Sequence, residues 1–183
     1  MTQRAVEIVA EMMVLSARTA PKGKGQDSIL IRVIAGEELK ELSRELARLG
    51  QARDIKFFLR DARNLEESDA CVLIAAQSGQ HAGLNCGGCG HSSCLEMIKA
   101  QSRFTEAHKE LPFHGPNCVI KMADLGIALG SAAKTASLHN VDNRIMFTAG
   151  VAALSLGWME GCLVAYGIPL KASGKNIYFD RQA

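Results

Sequence analysis

Four cysteines, spaced C-x2-C-x4-C-x23-C, constrain this chain more than any other feature. Cys86, Cys89 and Cys94 fall inside "NCGGCGHSSC", and Cys118 follows in "HGPNC". Thiols this close, separated by glycine, are not explained by packing. The sequence reads as having no secretory leader, since "MTQRAVEIVAEMM" lacks an apolar core with a cleavage site. Clustered cysteines in such a chain point to a reducing cytoplasm, where they bind metal or do redox chemistry more often than they form disulfides.

Three chemistries compete for these thiols. Structural zinc usually takes two separated C-x(2–4)-C pairs, and here neither Cys94 nor Cys118 has a near partner. Disulfide exchange at Cys86-Gly-Gly-Cys89 is a second option, and it leaves Cys94 and Cys118 unused. An iron–sulfur cluster is the third, and it fits the spacing best. Four thiolates then hold a compact body, three from one loop and one from a remote segment. Gly87, Gly88 and Gly90 let that loop wrap closely. Cys94 is expected in the first turn of one helix, capped by Ser92 or Ser93, and Cys118 just before another. Both helix starts would direct positive partial charge at an anionic cluster. His81, His91 and His114 flank the motif, behind the ligands or at the surface, or as a substitute ligand. Cys71 and Cys162 lie in apolar runs and read as core thiols.

The rest of the chain reads as an ordinary α+β protein. Its 183 residues suit a single domain, 1–183, with the cysteine segment 84–118 embedded in it. A net charge of +2 and 5% aromatic residues give no electrostatic or stacking case for nucleic acid. The longest apolar run, 145–170, is interrupted by glycines and Pro169, so it suits a buried helix entering a strand rather than a membrane span.

Residues 3–17 form an amphipathic helix with Val6, Ile8, Val9, Met12, Met13 and Leu15 inward. Strands are expected at 28–34, 70–76 and 162–168, and helices at 36–50, from Ser92 or Ser93 to about 109, 119–138 and 144–161. The stretch 54–68 is ambiguous. Ala128, Ala132 and Ala136 on one late helix, and Ala149, Ala153, Gly157 and Gly161 on the next, make small-residue faces. Such faces suit close packing inside one subunit or a central helix pair in a homodimer. Asp142 or Asn143 is placed to cap the second of these helices. Asp61 and Arg63 are a candidate buried pair or substrate contact.

Two glycine-containing basic loops suit a phosphate. "RTAPKGKG" carries Arg18, Thr19, Lys22 and Lys24, and "SGKN" carries Gly174 and Lys175, with Arg181 nearby. Neither a Rossmann turn nor a P-loop is present.

The cysteine pattern resembles the four-cysteine [4Fe-4S] domain of electron-transfer subunits and corrinoid iron–sulfur proteins, in which C-G-x-C-G-x-x-x-C precedes a distant cysteine. Cys86, Cys89, Cys94 and Cys118 match its ligand positions. Nearly the whole chain, through "ARTAPKGKGQD", "RDARN", "LNCGGCG", "DLGIALGSA", "VDNRIMFTAG" and "SGKNIYFDR", resembles bacterial and archaeal proteins that contain a ferredoxin domain and have no assigned reaction. The N-terminal helix with its arginine turn, the stretch from "DLGIALGSA" to "ALSLGW" and the basic tail are similar to nitroreductase-like flavoproteins. That likeness implies an α/β sandwich with an inserted iron–sulfur loop, a homodimer, and FMN whose phosphate is held by Arg18, Thr19, Lys22, Lys24, Gly174, Lys175 and Arg181. The expectation is therefore an oxidoreductase passing electrons between a [4Fe-4S] cluster and a flavin, with a redox protein or a small molecule as partner. A ferredoxin-like carrier or cluster sensor and a structural zinc protein are the alternatives.

Overall fold

The computed structural model describes residues 2–179. In chain order it comprises helix α1 (Thr2–Thr19), a short 3-10 turn (Gly23–Gly25), strand β1 (Ile29–Ala35) and helices α2 (Glu37–Ala52) and α3 (Lys56–Glu66). Strand β2 (Ala70–Gln77) and helices α4 (Cys94–Ala107) and α5 (Val119–Leu138) come next. Strand β3 (Asp142–Asn143), helix α6 (Phe147–Ser155) and strand β4 (Cys162–Lys171) complete the order.

The strands form one antiparallel sheet in the order β1-β2-β4-β3. Alternate residues of β2 point to opposite faces. Val72, Ile74 and Ala76 join the core beneath α1 and α5, whereas Cys71, Leu73 and Ala75 join the core beneath α2 and α6. With both faces covered, β2 reads as unbroken apolar sequence instead of alternating. The result is three layers, helix on sheet on helix, as an α+β sandwich requires. The α6 helix lies against β4 so closely that a Cβ on Gly150 would stand 1.8 Å from the Ala165 carbonyl oxygen. Only glycine permits that approach.

Several elements depart from expectation. Within the ambiguous 54–68 stretch, Lys56–Glu66 forms α3. In α1, Ile8 and Leu15 are exposed at 50% and 63%, while Val6, Val9, Ala10, Met13 and Ala17 are buried. The wetted pair sits across the helix from that inner stripe. The expected helix 144–161 is short, because Gly157 and Gly161 take φ of +72° and +73° and turn the chain into β4. They therefore do not continue the face begun by Ala149 and Ala153. Asp142 and Asn143 form β3 rather than a helix cap, and the N-cap position of α6 is Met146. Ala128, Ala132 and Ala136 are fully buried in the core shared with α1, so that face packs within one chain. Among the described residues no helix is long and apolar enough to cross a membrane.

A candidate four-cysteine centre

The cysteine loop leaves the sheet where β2 ends, β4 begins and β1 begins; Ser78 N–H there donates to the Gly161 carbonyl at 2.8 Å. Asn85, Gly87 and Gly90 take φ of +47°, +74° and +83°, which coil the segment tightly. The Asn85 side-chain oxygen accepts from Cys94 N–H at 2.9 Å. Ser93 caps α4 by accepting from Glu96 N–H at 3.2 Å, as expected, so Cys94 is the first helical residue. Cys118 is the N-cap residue of α5, whose start has no side-chain cap. Its first amides are thereby left for another acceptor.

Cys86, Cys89, Cys94 and Cys118 line one small recess of about 10 Å3, with His91, Met97 and Val119. Cys86 is exposed, Cys89 and Cys94 are half-buried, and Cys118 is buried; all are free thiols. Beneath them Met97, 1% exposed, packs with Ala82 and Cys118 as a small separate core. A Cβ on Gly88 would stand 2.7 Å from the Val119 side chain and 3.7 Å from the Cys86 sulfur, so a side chain there would crowd the recess. Four soft donors around one recess and an uncapped helix start suit an anionic thiolate-ligated centre.

Gln101 fixes Cys118 relative to the loop. This residue is 5% exposed on α4. Its carbonyl accepts from Gly79 N–H at 2.8 Å, and its amide donates to the Pro116 carbonyl at 3.0 Å and to Asn117 Oδ1 at 2.9 Å. Asn117 in turn donates to the His114 carbonyl at 2.7 Å. The β2 exit, the Cys94 helix and the approach to Cys118 thus meet at one amide. Nothing in the sequence marks Gln101, which is one polar residue among several on its helix.

The basic loop after α1 clasps the Cys118 helix. Gly23 N–H donates to Asp124 Oδ1 at 2.8 Å, and Lys121 Nζ donates to the Gln26 carbonyl and to Asp124, both at 3.1 Å. Lys121 and Asp124 are buried at 3% exposure each. Charged residues in so apolar a helix are the one sequence signal that could have exposed the clasp, since buried charges need partners.

The sequence-derived phosphate residues are partly committed elsewhere. Lys22 Nζ donates to the carbonyls of Ala17, Arg18 and Ala20, which uses all three ammonium protons and closes the end of α1. Arg18 pairs with Asp27 at 2.5 Å and donates to the Ile29 carbonyl, and Thr19 returns its hydroxyl to Leu15. Lys24 Nζ approaches within 3.8 Å of a Cβ built on Gly83, beside the entry to the cysteine loop.

Gly174 and Lys175 follow β4, at the opposite end of the sheet, and Asn176 there donates to Asp142. The eight residues of β2 separate the two basic loops by roughly 25 Å, so one chain does not bring them together. Arg181 lies outside the described residues. Asp61 pairs with Arg60 at 2.8 Å and accepts from Thr148 at 2.9 Å, while Arg63 is exposed and takes no part. His91 lines the recess. His114 lies 2.8 Å from the His108 carbonyl, and His81 Nδ1 is buried without a hydrogen-bond partner. Burial pushes the Cys162 thiol up to about 11 and Cys71 further still, as suits core thiols.

Fold and centre together define the class: a nitroreductase-like α+β sandwich carrying a four-thiol site. Nitroreductase CinD from Lactococcus lactis, solved with nicotinic acid, covers 97% of this chain and 88% of its own at a TM-score of 0.59 and 9% identity. A nitroreductase with bound FMN from Desulfitobacterium hafniense gives 0.56 at 15% identity, over 91% and 78% of the two chains. For nitroreductase A from Vibrio parahaemolyticus the score is 0.54 at 10% identity, over 92% of this chain but 59% of that longer one. These likenesses show the fold. An uncharacterized protein from Archaeoglobus fulgidus is 44% identical over 176 residues, 96% of this chain and 91% of its own. A family model described as "uncharacterized protein containing a ferredoxin domain" matches residues 114–181, which include Cys118. The chain belongs to that ferredoxin-domain family.

Proposed function

We propose that this protein is an iron–sulfur oxidoreductase that binds one [4Fe-4S] cluster at Cys86, Cys89, Cys94 and Cys118 and passes electrons between the cluster and a bound FMN. The observation that carries this reading is the lining of one recess by all four thiols at the meeting of two helix starts. The C-x2-C-x4-C-x23-C spacing, with neither Cys94 nor Cys118 in a close pair, favours a cluster over zinc.

A cluster supplies single electrons, and a flavin couples one- and two-electron steps. The residues of this chain do the rest. The four cysteines bind, and Met97 and Val119 keep water from the inner side. The α5 amides and Lys24 supply positive potential, and exposed Cys86 marks the edge that a redox partner approaches. An apolar recess of about 300 Å3, between Met122 and Leu129 of α5 and Val164 and Tyr166 of β4, has room for a flavin ring. The two basic loops can serve one flavin phosphate only if they come from different protomers. Exposed Ile8, Leu15, Ile127 and Leu138 on α1 and α5 favour such a homodimer. Six free cysteines favour the reducing cytoplasm.

The second reading, an electron carrier without flavin, is favoured by the separation of the basic loops. Oxygen-free purification with assays for iron, sulfide, zinc and released flavin distinguishes the readings. About four iron and four sulfide per chain with FMN is the expected result. Iron and sulfide without flavin leaves the carrier, and stoichiometric zinc refutes both. Cys89→Ser removes the visible absorbance; colour that persists overturns the ligand set.

A further inference from the structure

A recess of about 270 Å3 is separate from the cysteine centre. It opens between the ends of α2, α4 and α6 and the start of β4. Leu49, Val151 and Leu154 give it an apolar floor, and Arg53 and Lys109 stand at its rim. Arg53 donates to the Glu110 backbone carbonyl, while the Glu110 carboxylate turns to His108 at 3.5 Å. Among the described residues neither Arg53 nor Lys109 has a carboxylate partner, so the rim is net positive. Thr105 of α4 lies along its wall.

We propose that this recess is a second binding site, for a small organic monoanion with an apolar body. The carboxylate meets Arg53 and Lys109, and the body covers Leu49 and Leu154. A guanidinium suits a planar carboxylate because it offers paired donors in a fixed fork. The site does not rest on what the cysteines hold. Thr105 is eleven residues beyond Cys94 along α4, about 16 Å at 1.5 Å per residue.

The test is ligand-observed NMR on the full chain purified without oxygen, with benzoate, hexanoate and benzamide as probes. Benzoate and hexanoate bind and benzamide, which lacks the charge, binds much more weakly. Arg53→Ala lowers benzoate affinity about tenfold or more, as loss of a charge-assisted hydrogen bond should. Leu154→Trp, which fills the recess, abolishes binding while the melting temperature stays close to that of the parent. The proposal is overturned if neither acid binds, if benzamide binds as well as benzoate, or if Arg53→Ala leaves benzoate affinity unchanged. Binding that persists when Leu154→Trp is folded also overturns it, because the acid then sits elsewhere.

Discussion

Replacing Gln101 by leucine tests whether one buried amide positions the fourth thiol. Leucine fills most of the space and removes every hydrogen bond. Three partners lose their bond: Gly79 N–H, the Pro116 carbonyl and Asn117 Oδ1. At about 1 kcal/mol net for each, the loss is about 3 kcal/mol. For a chain of this size, 1 kcal/mol moves the melting temperature by about 2–4 °C, so the drop should be about 6–12 °C. Because Pro116 and Asn117 immediately precede Cys118, iron should also leave the variant faster during exposure to a chelator. Gln101→Glu should be no milder. It keeps the acceptor for Gly79 and sets a carboxylate against two other oxygens. Thermal melting by circular dichroism and iron release against time read both effects. A Gln101→Leu variant that melts within about 2 °C of the parent and holds iron as long would refute the positioning argument.

Other outcomes follow from the same physical reasoning. Asp124→Asn leaves the buried Lys121 charge uncompensated and should cost about 3–5 kcal/mol in chemical denaturation, whereas the double replacement of Lys121 by Met and Asp124 by Leu should recover much of that loss. Gly150→Ala drives a methyl into the β4 backbone, so soluble yield should collapse; normal yield would mean α6 sits further from the sheet than described. The unfolded chain releases the Cys162 proton at about pH 9 and the folded chain at about 11, because burial favours the neutral thiol. Between these values the folded state binds more protons, so the Cys162 contribution to stability falls as pH rises from about 9 to about 11, and buried Cys71, raised further, extends the decline. Denaturation midpoints across that window should show the decline, and Cys162→Ala should make it shallower.

The parts legible in the sequence were those set by neighbours. The cysteine spacing, the Ser93 cap and the placement of Cys94 and Cys118 at helix starts depend on residues a few positions apart. The clasp made by the basic loop after α1 is not legible because its contacts are remote: Gly23 meets Asp124 and Gln26 meets Lys121 across about a hundred residues of chain. A lysine that caps its own helix, as Lys22 does, looks in sequence like a lysine free for phosphate. Helix α6 was overextended because Leu156, Trp158 and Met159 keep an apolar character through Gly157. The positive φ there, not a change in hydropathy, ends the helix. Ile8 and Leu15 look inward in sequence because apolar residues surround much of α1, and only the packing against α5 selects the buried side.

The wide interval before Cys118 bears on how the protein is made. At the ribosome's pace of about 5–20 residues per second, the 24 residues from Cys94 to Cys118 take about 1–5 s to appear. Through that interval a growing chain offers three of the centre's four cysteines. The strand that completes the sheet beside β2 is made later still, since β4 begins only at Cys162. A centre inserted during synthesis would therefore be held by an open loop on an unfinished sheet. Insertion into the finished chain meets a recess already shaped by Gln101 and the Gly23 clasp, so delivery after synthesis is the route this architecture rewards.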